Sequence, residues 1–256
     1  MNKQSTGTAH MDNGASERID KALPQHLEAA MNDGRSSLAR AENAYRFLRL
    51  ELLEGDLTPG EPLSVVALSR ELKCSRVPVM EAIKRLAGEG FITIVPQVGC
   101  HVMTPAPADV RDFFVLFATI EATVTAFAAA RRSDADAVEF EKTCARVAAD
   151  AAKAGAPAAR DPTYRRLNLL FHSHIHRMAR SPASTEVARS LWDRSDFYIK
   201  LAFGSLYFSP RILAAQDEIR QAIVMADAER ARVAVAGYLN GVGERVARQL
   251  ERTAQG

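Results

Sequence analysis

The sequence lacks the features that mark an enzyme, a disulfide-bonded protein or a zinc protein. Its three cysteines, Cys74, Cys100 and Cys144, are scattered and form no CxxC pair, which argues against a disulfide framework and a thiolate zinc site. No GxSxG, GxxxxGK[ST] or HExxH motif is present. We therefore predict that the chain is not an enzyme and needs no cofactor.

An excess of charge of one sign is also lacking. The chain has 33 Lys and Arg against 31 Asp and Glu, so bulk charge does not mark a nucleic-acid-binding protein. The N-terminus has no apolar segment behind its first charges and is not typical of a secretion signal. We expect a disordered tail over residues 1–34 and a cytoplasmic location.

The longest weakly charged run covers residues 113–130, which is nearly long enough to span a bilayer. Glu121 lies at its middle, and a central acid costs roughly 2.5 to 3.5 kcal/mol on membrane insertion. We therefore predict a buried helix in this run and no membrane partner.

Residues 75–86 (SRVPVMEAIKRL) have the pattern of a helix that reads DNA. Ser75 is a suitable N-cap, and Pro78 falls in the first turn, where its missing N–H costs little. Helical spacing predicts a buried stripe of Val79, Ala82, Ile83 and Leu86. The opposite, exposed face would carry Arg76, Val77, Met80, Glu81 and Lys84.

The flanking patterns predict a winged helix-turn-helix over residues 35–103. Apolar residues at helical spacing over 38–52 predict a first helix, and Ser64 is a suitable cap for a short second helix. The runs 91–95 and 100–102 have the composition of strands, and residues 96–99 (PQVG) between them are typical of a turn. Together they predict a β-hairpin, the wing.

Two closely spaced prolines in TPAP predict a linker over residues 104–108. Residues 109–253 show long helical windows and no convincing strand, which predicts a helical domain. The predicted fold is therefore mainly α, with three helices and a small β-hairpin followed by an all-α helical bundle.

The N-terminal segment resembles the GntR superfamily of bacterial transcription regulators, in the FadR-like branch with a helical, FCD-type effector domain. The matching residues are Gly55, Leu57, Pro59, Gly60, Leu63, Leu68, Leu72, Ser75, Arg76, Pro78, Val79, Glu81, Ala82, Arg85, Leu86, Glu89 and Gly90. The resemblance implies a homodimer on a pseudo-palindromic double-stranded DNA operator. It also implies that residues 109–253 form the effector-binding and dimerisation domain. The DNA-binding residues that we predict are Arg40, Ser75, Arg76, Val77, Met80, Lys84, Arg85, Gln97 and Gly99.

Three positions depart from the family pattern. Val77 and Met80 stand where the family usually has Thr and Arg, and Val65 replaces a Glu in the preceding helix. The loss of these polar groups implies either an operator read partly through thymine methyl groups or weaker recognition.

The effector domain of the family often holds a divalent metal on one Asp and three His, and here those positions fall on Asn168, His172, Gln216 and Tyr238. Only His172 is a normal ligand, so we predict no metal. Many relatives also have an Arg at the position of Phe117. The predicted effector-binding residues are Phe117, Glu121, Asn168, His172, Gln216 and Tyr238.

Uncharged polar groups beside an aromatic wall favour an aromatic or acyl-type effector over a small hydroxy acid. Aromatic residues over 192–208 could line the same cavity, or pack in the core or a dimer interface. A second metal interpretation uses His172 and His176, which share a helix face. We favour a solvated His176 because His174 points away and no carboxylate or cysteine has matching spacing.

These observations predict a ligand-responsive DNA-binding regulator, a repressor of a catabolic operon that is released by an organic metabolite. The alternative is a metabolite-sensing or interaction protein with lost or weakened DNA binding. An enzyme is the less favoured class.

Overall fold

The computed structural model describes residues 37–55, 57–153, 163–206 and 208–255. The tail that we predicted over 1–34 lies outside these residues. The contacts between Cα atoms divide the chain into two units. The N-terminal unit contains residues 62–100 and those up to 49, and the helical unit contains residues 50–61 and 101–256.

The described residues in the first half of the chain form three helices and three short strands, which confirms the predicted winged helix-turn-helix. The elements are α1 (Ser37–Glu54), β1 (Pro62–Leu63), α2 (Val65–Glu71), α3 (Arg76–Gly88), β2 (Ile92–Val95) and β3 (Gly99–Val102). The strand order is β1-β3-β2. The sequence did not predict β1, because two residues are too few to show an alternating pattern.

The helix-turn-helix has the expected caps and turn. The Ser64 hydroxyl accepts a hydrogen bond from the Ala67 N–H at 3.2 Å, which caps α2. Ser75 stands at the N-cap of α3 with an extended backbone, although its side chain makes no capping hydrogen bond. Lys73, in the turn between α2 and α3, has a φ of 48°, a left-handed conformation that is uncommon for residues other than glycine.

The amphipathic pattern of α3 is confirmed. Its four predicted stripe residues are buried, together with Pro78, in the core of the N-terminal unit. They pack in the same core as Tyr45 and Leu48 of α1. Leu38 was part of the predicted periodicity of α1 but is 81% exposed, because it lies in the first turn of that helix.

The second half forms a helical bundle, as predicted. Its elements are α4 (Pro107–Arg131), α5 (Asp134–Lys153), α6 (Thr163–Ala179), α7 (Pro182–Phe203), α8 (Pro210–Val224) and α9 (Ala228–Gln255). Because α4 begins at Pro107, the irregular connection before it is shorter than the predicted linker 104–108.

Helix α4 is the central helix of the bundle and packs against α6, α7, α8 and α9. By length and composition alone it could cross a membrane, but more than half of its most apolar window is buried within the protein. Glu121, near its middle, is fully buried. Its C-terminal Arg131 and Arg132 donate to the Ala179 and Ile223 carbonyls at 2.7 and 3.1 Å, which satisfies the ends of α6 and α8.

Candidate functional site

The exposed face of α3 carries the residues that we predicted to read DNA. Arg76, Val77 and Lys84 are exposed, and Met80 is half-buried. Val77 is 61% exposed, which leaves its methyl groups available to a partner. The face therefore offers two cations that can contact phosphates and an apolar centre.

Arg85, another predicted DNA contact, is held by neighbouring side chains. Its guanidinium lies 2.9 Å from a Glu42 carboxylate oxygen and 3.3 Å from one of Glu89. It also stacks over the Tyr45 ring at 3.5 Å from the centroid. Because these contacts join α1 to α3, Arg85 has a clear structural role, and its contact with DNA stays a prediction.

The tip of the wing combines a polar and an apolar side chain. Gln97 has a φ of 63° and Gly99 a φ of 138°, so both turn residues are in conformations that favour glycine. Between them, Val98 is 70% exposed, and its N–H donates to the Val95 carbonyl at 3.1 Å. Arg40, the last predicted contact, is exposed on α1.

The helical unit contains a buried polar cluster, which we define as Glu121, Thr125, His172, His176 and Trp192. The Oε1 atom of Glu121 lies 2.8 Å from Nε2 of His176 and accepts a hydrogen bond from Nε1 of Trp192 at 2.6 Å. The His172 ring stacks on the Trp192 ring with the centroids 3.7 Å apart. The expectation of a solvated His176 was wrong: the residue is buried because α6 turns this face towards α4.

Several atoms of the buried polar cluster have no hydrogen-bond partner among the described residues. They are Oε2 of Glu121, Oγ1 of Thr125 and both ring nitrogens of His172. Leaving such a group buried and unsatisfied costs about 1–3 kcal/mol, so these atoms mark a place where a ligand with complementary groups would gain binding energy. Burial, together with the neighbouring His176, lowers the pKa of His172 well below its usual range, so its ring is neutral.

The other predicted effector-binding residues lie around this cluster or apart from it. The Phe117 ring meets the Trp192 ring edge-on with the centroids 4.9 Å apart. Asn168 lies one helical turn before His172, and its Oδ1 atom accepts from Nε2 of Gln216 at 3.4 Å. Tyr238 instead lines a separate cavity of about 150 Å³, so the structure does not bring all six residues to one cavity.

A larger cavity of about 370 Å³ lies between α5, α6 and α8. Gln216, Phe171, Cys144 and Arg220 contribute to its lining. Gln216 therefore stands between this cavity and Asn168. Burial raises the pKa of the Cys144 thiol to about 12, so it is protonated and is not a nucleophile.

The aromatic residues over 192–208 divide between these surroundings. Trp192 belongs to the buried polar cluster, Phe197 and Tyr198 are buried in the core, and Phe203 lines the cavity of Tyr238. Phe208 packs on Tyr164 with the ring centroids 4.9 Å apart. Tyr207 lies outside the described residues.

The donor set does not fit a metal ion. Within the described ranges, no three His, Cys, Asp or Glu side chains are grouped so that they could hold one. Glu121 and His176 pair with each other, and the Asn168 amide pairs with that of Gln216. A single imidazole with two amides and a phenol is a poor set for zinc or nickel.

A second polar cluster in the helical unit was not found from the sequence. The Arg165 guanidinium on α6 lies 2.7 Å from Glu54, 2.8 Å from Asp193 and 3.3 Å from Asp196. Burial raises the pKa of Asp196 to about 7, in opposition to the attraction of Arg165. Lys200 donates to the Leu52 carbonyl at 3.2 Å, so the last turn of α1 is held within this unit.

Comparison with known protein families identifies both halves of the chain. Residues 40–102 match the bacterial regulatory proteins of the gntR family, and residues 112–241, just over half of the chain, match the FCD domain. The chain belongs to the GntR superfamily, in its FadR-like branch. This superfamily consists of regulatory proteins, and the matched families and relatives confirm the prediction that the chain is not an enzyme.

The curated relatives of this GntR regulator match over part of their length. The repressor RspR of Escherichia coli is 34% identical over 40% of this chain and 44% of its own length. An uncharacterized HTH-type transcriptional regulator of Agrobacterium vitis is 30% identical over 37% of this chain and 56% of its own. The chain thus matches about half of the length of these relatives.

Solved structures share the fold of this GntR regulator. E. coli McbR/YncC superposes with a TM-score of 0.63 over 84% of this chain and 98% of its own, at 18% identity. A putative GntR transcriptional regulator from Rhodococcus sp. RHA1 has the same TM-score over 81% of this chain and 97% of its own, at 20% identity. At this level of identity the likeness supports the fold alone.

Proposed function

We propose that this regulator is a dimeric repressor of a catabolic operon, which binds a pseudo-palindromic operator in the cytoplasm and is released by an organic effector. The observation that carries the proposal is the buried polar cluster, in which Glu121, Thr125 and His172 have unpartnered atoms. A protein interior seldom leaves such groups unsatisfied without a ligand, a water or a functional reason.

The exposed face of α3 supports operator reading with an apolar component. Arg76 and Lys84 can neutralise phosphates, and Val77 can contact a thymine methyl group although it cannot hydrogen-bond to a base edge. Val98 at the tip of the wing offers a second exposed apolar group. An operator with thymines under these valines is therefore favoured.

The composition of the buried polar cluster supports an aromatic or acyl-type effector. It contains one carboxylate, two imidazoles, a hydroxyl and an indole, and Phe117 packs beside the indole. Neither Lys nor Arg belongs to it, so it offers no fixed cation to a small hydroxy acid. Its aromatic walls suit an apolar ligand.

The solvent-facing side of α4 supports dimerisation. Val115 and Leu116 are more than half exposed there. The Thr119 hydroxyl donates to the Val115 carbonyl at 2.9 Å, so it is bonded within the helix and this turn of α4 presents a largely apolar face. A second copy of the chain would cover it, as the family resemblance implies.

Helices α6 and α7 supply a route from ligand to DNA. They carry His172 and Trp192 at the buried polar cluster, and Arg165 and Asp193 at the second cluster. Arg165 holds Glu54 at the end of α1, and the earlier turns of α1 belong to the N-terminal unit. A ligand that releases DNA through this route must itself bind more weakly to the DNA-bound protein.

The experiment that tests DNA reading is selection of binding sites from a random duplex pool by the full-length protein. We expect enrichment of a short inverted repeat. The double variant Arg76→Ala, Lys84→Ala should bind it at least about tenfold more weakly, with a salt dependence shallower by about two counterions for each half-site. A matched control, Lys142→Ala with Arg189→Ala, removes two exposed cations from the helical unit and should bind like the wild type.

The alternative function is a metabolite-sensing or interaction protein with lost DNA binding. The specific observation that favours it is the apolar centre of the reading face, Val77 and Met80. Absence of any enriched sequence at low salt would support this alternative and contradict the repressor.

A further inference from the structure

Trp192 contacts other residues of the buried polar cluster as a bound aromatic ligand would. Its indole N–H donates to Glu121 at 2.6 Å, its ring lies over that of His172 with the centroids 3.7 Å apart and the planes tilted by 36°, and the Phe117 ring meets it edge-on at 4.9 Å. These are the three kinds of contact, a hydrogen bond, a stacked ring and an edge contact, with which proteins hold planar heterocycles.

Trp192 differs from its neighbours in how deeply it is buried. Glu121, His172 and Phe117 are almost completely buried, whereas Trp192 is only partly buried. A side chain that reaches the surface can leave by rotation about its own bonds while helix α7 stays intact. The three groups that it contacts would stay in place as a preformed pocket.

The contacts of Trp192 with Glu121 and His172 also leave buried hydrogen-bonding atoms without a partner. An indole has one donor and no acceptor, and Trp192 uses that donor on Oε1 of Glu121. Oε2 of Glu121 and both nitrogens of His172 keep no partner. A ligand with a similar ring and one more polar group would satisfy atoms that Trp192 leaves bare.

We propose that Trp192 is a displaceable internal ligand, and that the effector is a planar aromatic molecule with an N–H or O–H donor on its ring edge that takes its place between Glu121 and His172. This inference rests on the proposed effector site and names its ligand class. Trp192 directly precedes Asp193, which binds Arg165, so displacement would change the surroundings of the second polar cluster.

The test uses indole and benzofuran, which share a shape but differ in the N–H donor. The variant Trp192→Ala removes the internal ligand, and calorimetry measures the affinity of each probe. We expect indole to bind this variant at least about tenfold more tightly than benzofuran, and at least about tenfold more tightly than it binds the wild type. Adding Glu121→Gln should reduce the preference for indole, because the charged acceptor is lost.

The control variant is Phe197→Ala, which removes another buried aromatic ring from α7 outside the cluster. Its apolar cavity should bind the two probes equally. Equal binding of both probes to Trp192→Ala, no binding of indole, or equally tight binding of indole to the wild type would overturn the inference. These measurements contain no DNA. A failure here would contradict the proposed ligand class, whereas a failure of the duplex selection would contradict the proposed repressor function.

A second measurement keeps the proposal testable if Trp192→Ala does not fold. Trp192 is the only tryptophan of the chain, so wild-type protein labelled with 5-fluorotryptophan gives a single fluorine resonance. Saturating indole should move this resonance to the position of an exposed indole. An unchanged resonance would contradict displacement.

Discussion

Arg165 and Glu54 form an ion pair of 2.7 Å that joins α6 to the last turn of α1 within the helical unit. The same guanidinium also binds Asp193 and Asp196, so one cation compensates three carboxylates. Removing one partner of these partly buried ion pairs leaves the others uncompensated where water screens charge only in part. The cluster is therefore expected to be sensitive to loss of its arginine.

We predict that Arg165→Met lowers the free energy of unfolding by roughly 3 kcal/mol, measured by urea denaturation. The control is Arg111→Met, which removes an arginine bonded to Glu244 and Glu251. Those carboxylates are more exposed than the partners of Arg165, so the control should lose much less. Equal losses would show that the cluster around Arg165 has no special role in stability.

The second prediction concerns pH. The pKa of Asp196 is about 7 in the folded protein against an ordinary value of 3.8, because burial disfavours its charge. Between these values the folded state holds a proton that the unfolded state has released, so this group makes stability fall as the pH rises through that window. In Asp196→Asn this loss is absent.

The measurement is the melting temperature of both proteins from about pH 5 to about pH 8. The difference, variant minus wild type, should grow as the pH rises and level off above the folded pKa. Buried, neutral His172 contributes the opposite slope below its usual pKa, but both proteins contain it and it cancels. Parallel curves would mean that Asp196 is ionised throughout.

Elements whose sides differ in burial could be predicted from the sequence. The stripe of α3 is one example, because Val79 and Ile83 recur at helical spacing between exposed residues. Glu121 was correctly placed in a buried helix for a different reason, because the residues on both sides of it form a long, weakly charged run.

Contacts between distant helices could not be predicted in this way. Trp192 meets Glu121 across 71 positions, and no spacing rule encodes such a pair. His176 was expected in solvent because the sequence does not say which helix packs on its face. The cluster of Arg165 was missed because charged residues are usually exposed, and the sequence does not show that carboxylates from distant positions contact the same guanidinium.

The third prediction tests thymine recognition by Val77. Replacing thymine with uracil in the selected duplex removes one methyl group, and we expect the wild type to bind several-fold more weakly at one thymine of each half-site. Val77→Ala should bind both duplexes alike. Val233→Ala, a change of an equally exposed valine on α9, should keep the sensitivity. If Val77→Ala still discriminates, Val77 does not contact that methyl group.

The fourth prediction concerns the packing of α9 on α4. A β-carbon on Gly243 would lie 2.5 Å from Cβ of Phe114, which is buried and has no room to move away. Gly243→Ala should therefore lower the free energy of unfolding by about 1–3 kcal/mol. Gly237 in the same helix has no atom within 4 Å of such a carbon, so Gly237→Ala should raise stability by about 0.5–1 kcal/mol. Effects of the same sign would rule out the close approach.

The last prediction tests the dimer face of α4. Leu116→Glu places a charge on a surface that a second copy would have to desolvate, which costs far more than leaving it in water. We expect a dimer for the wild type and a monomer for this variant in sedimentation velocity. Leu169 on α6 is exposed to nearly the same extent, 58% against 56% for Leu116, so Leu169→Glu controls for surface charge and should stay dimeric. Because a pseudo-palindromic operator needs two winged helices, Leu116→Glu should also weaken operator binding. A monomeric wild type, or a Leu116→Glu variant that remains dimeric, would place the interface elsewhere.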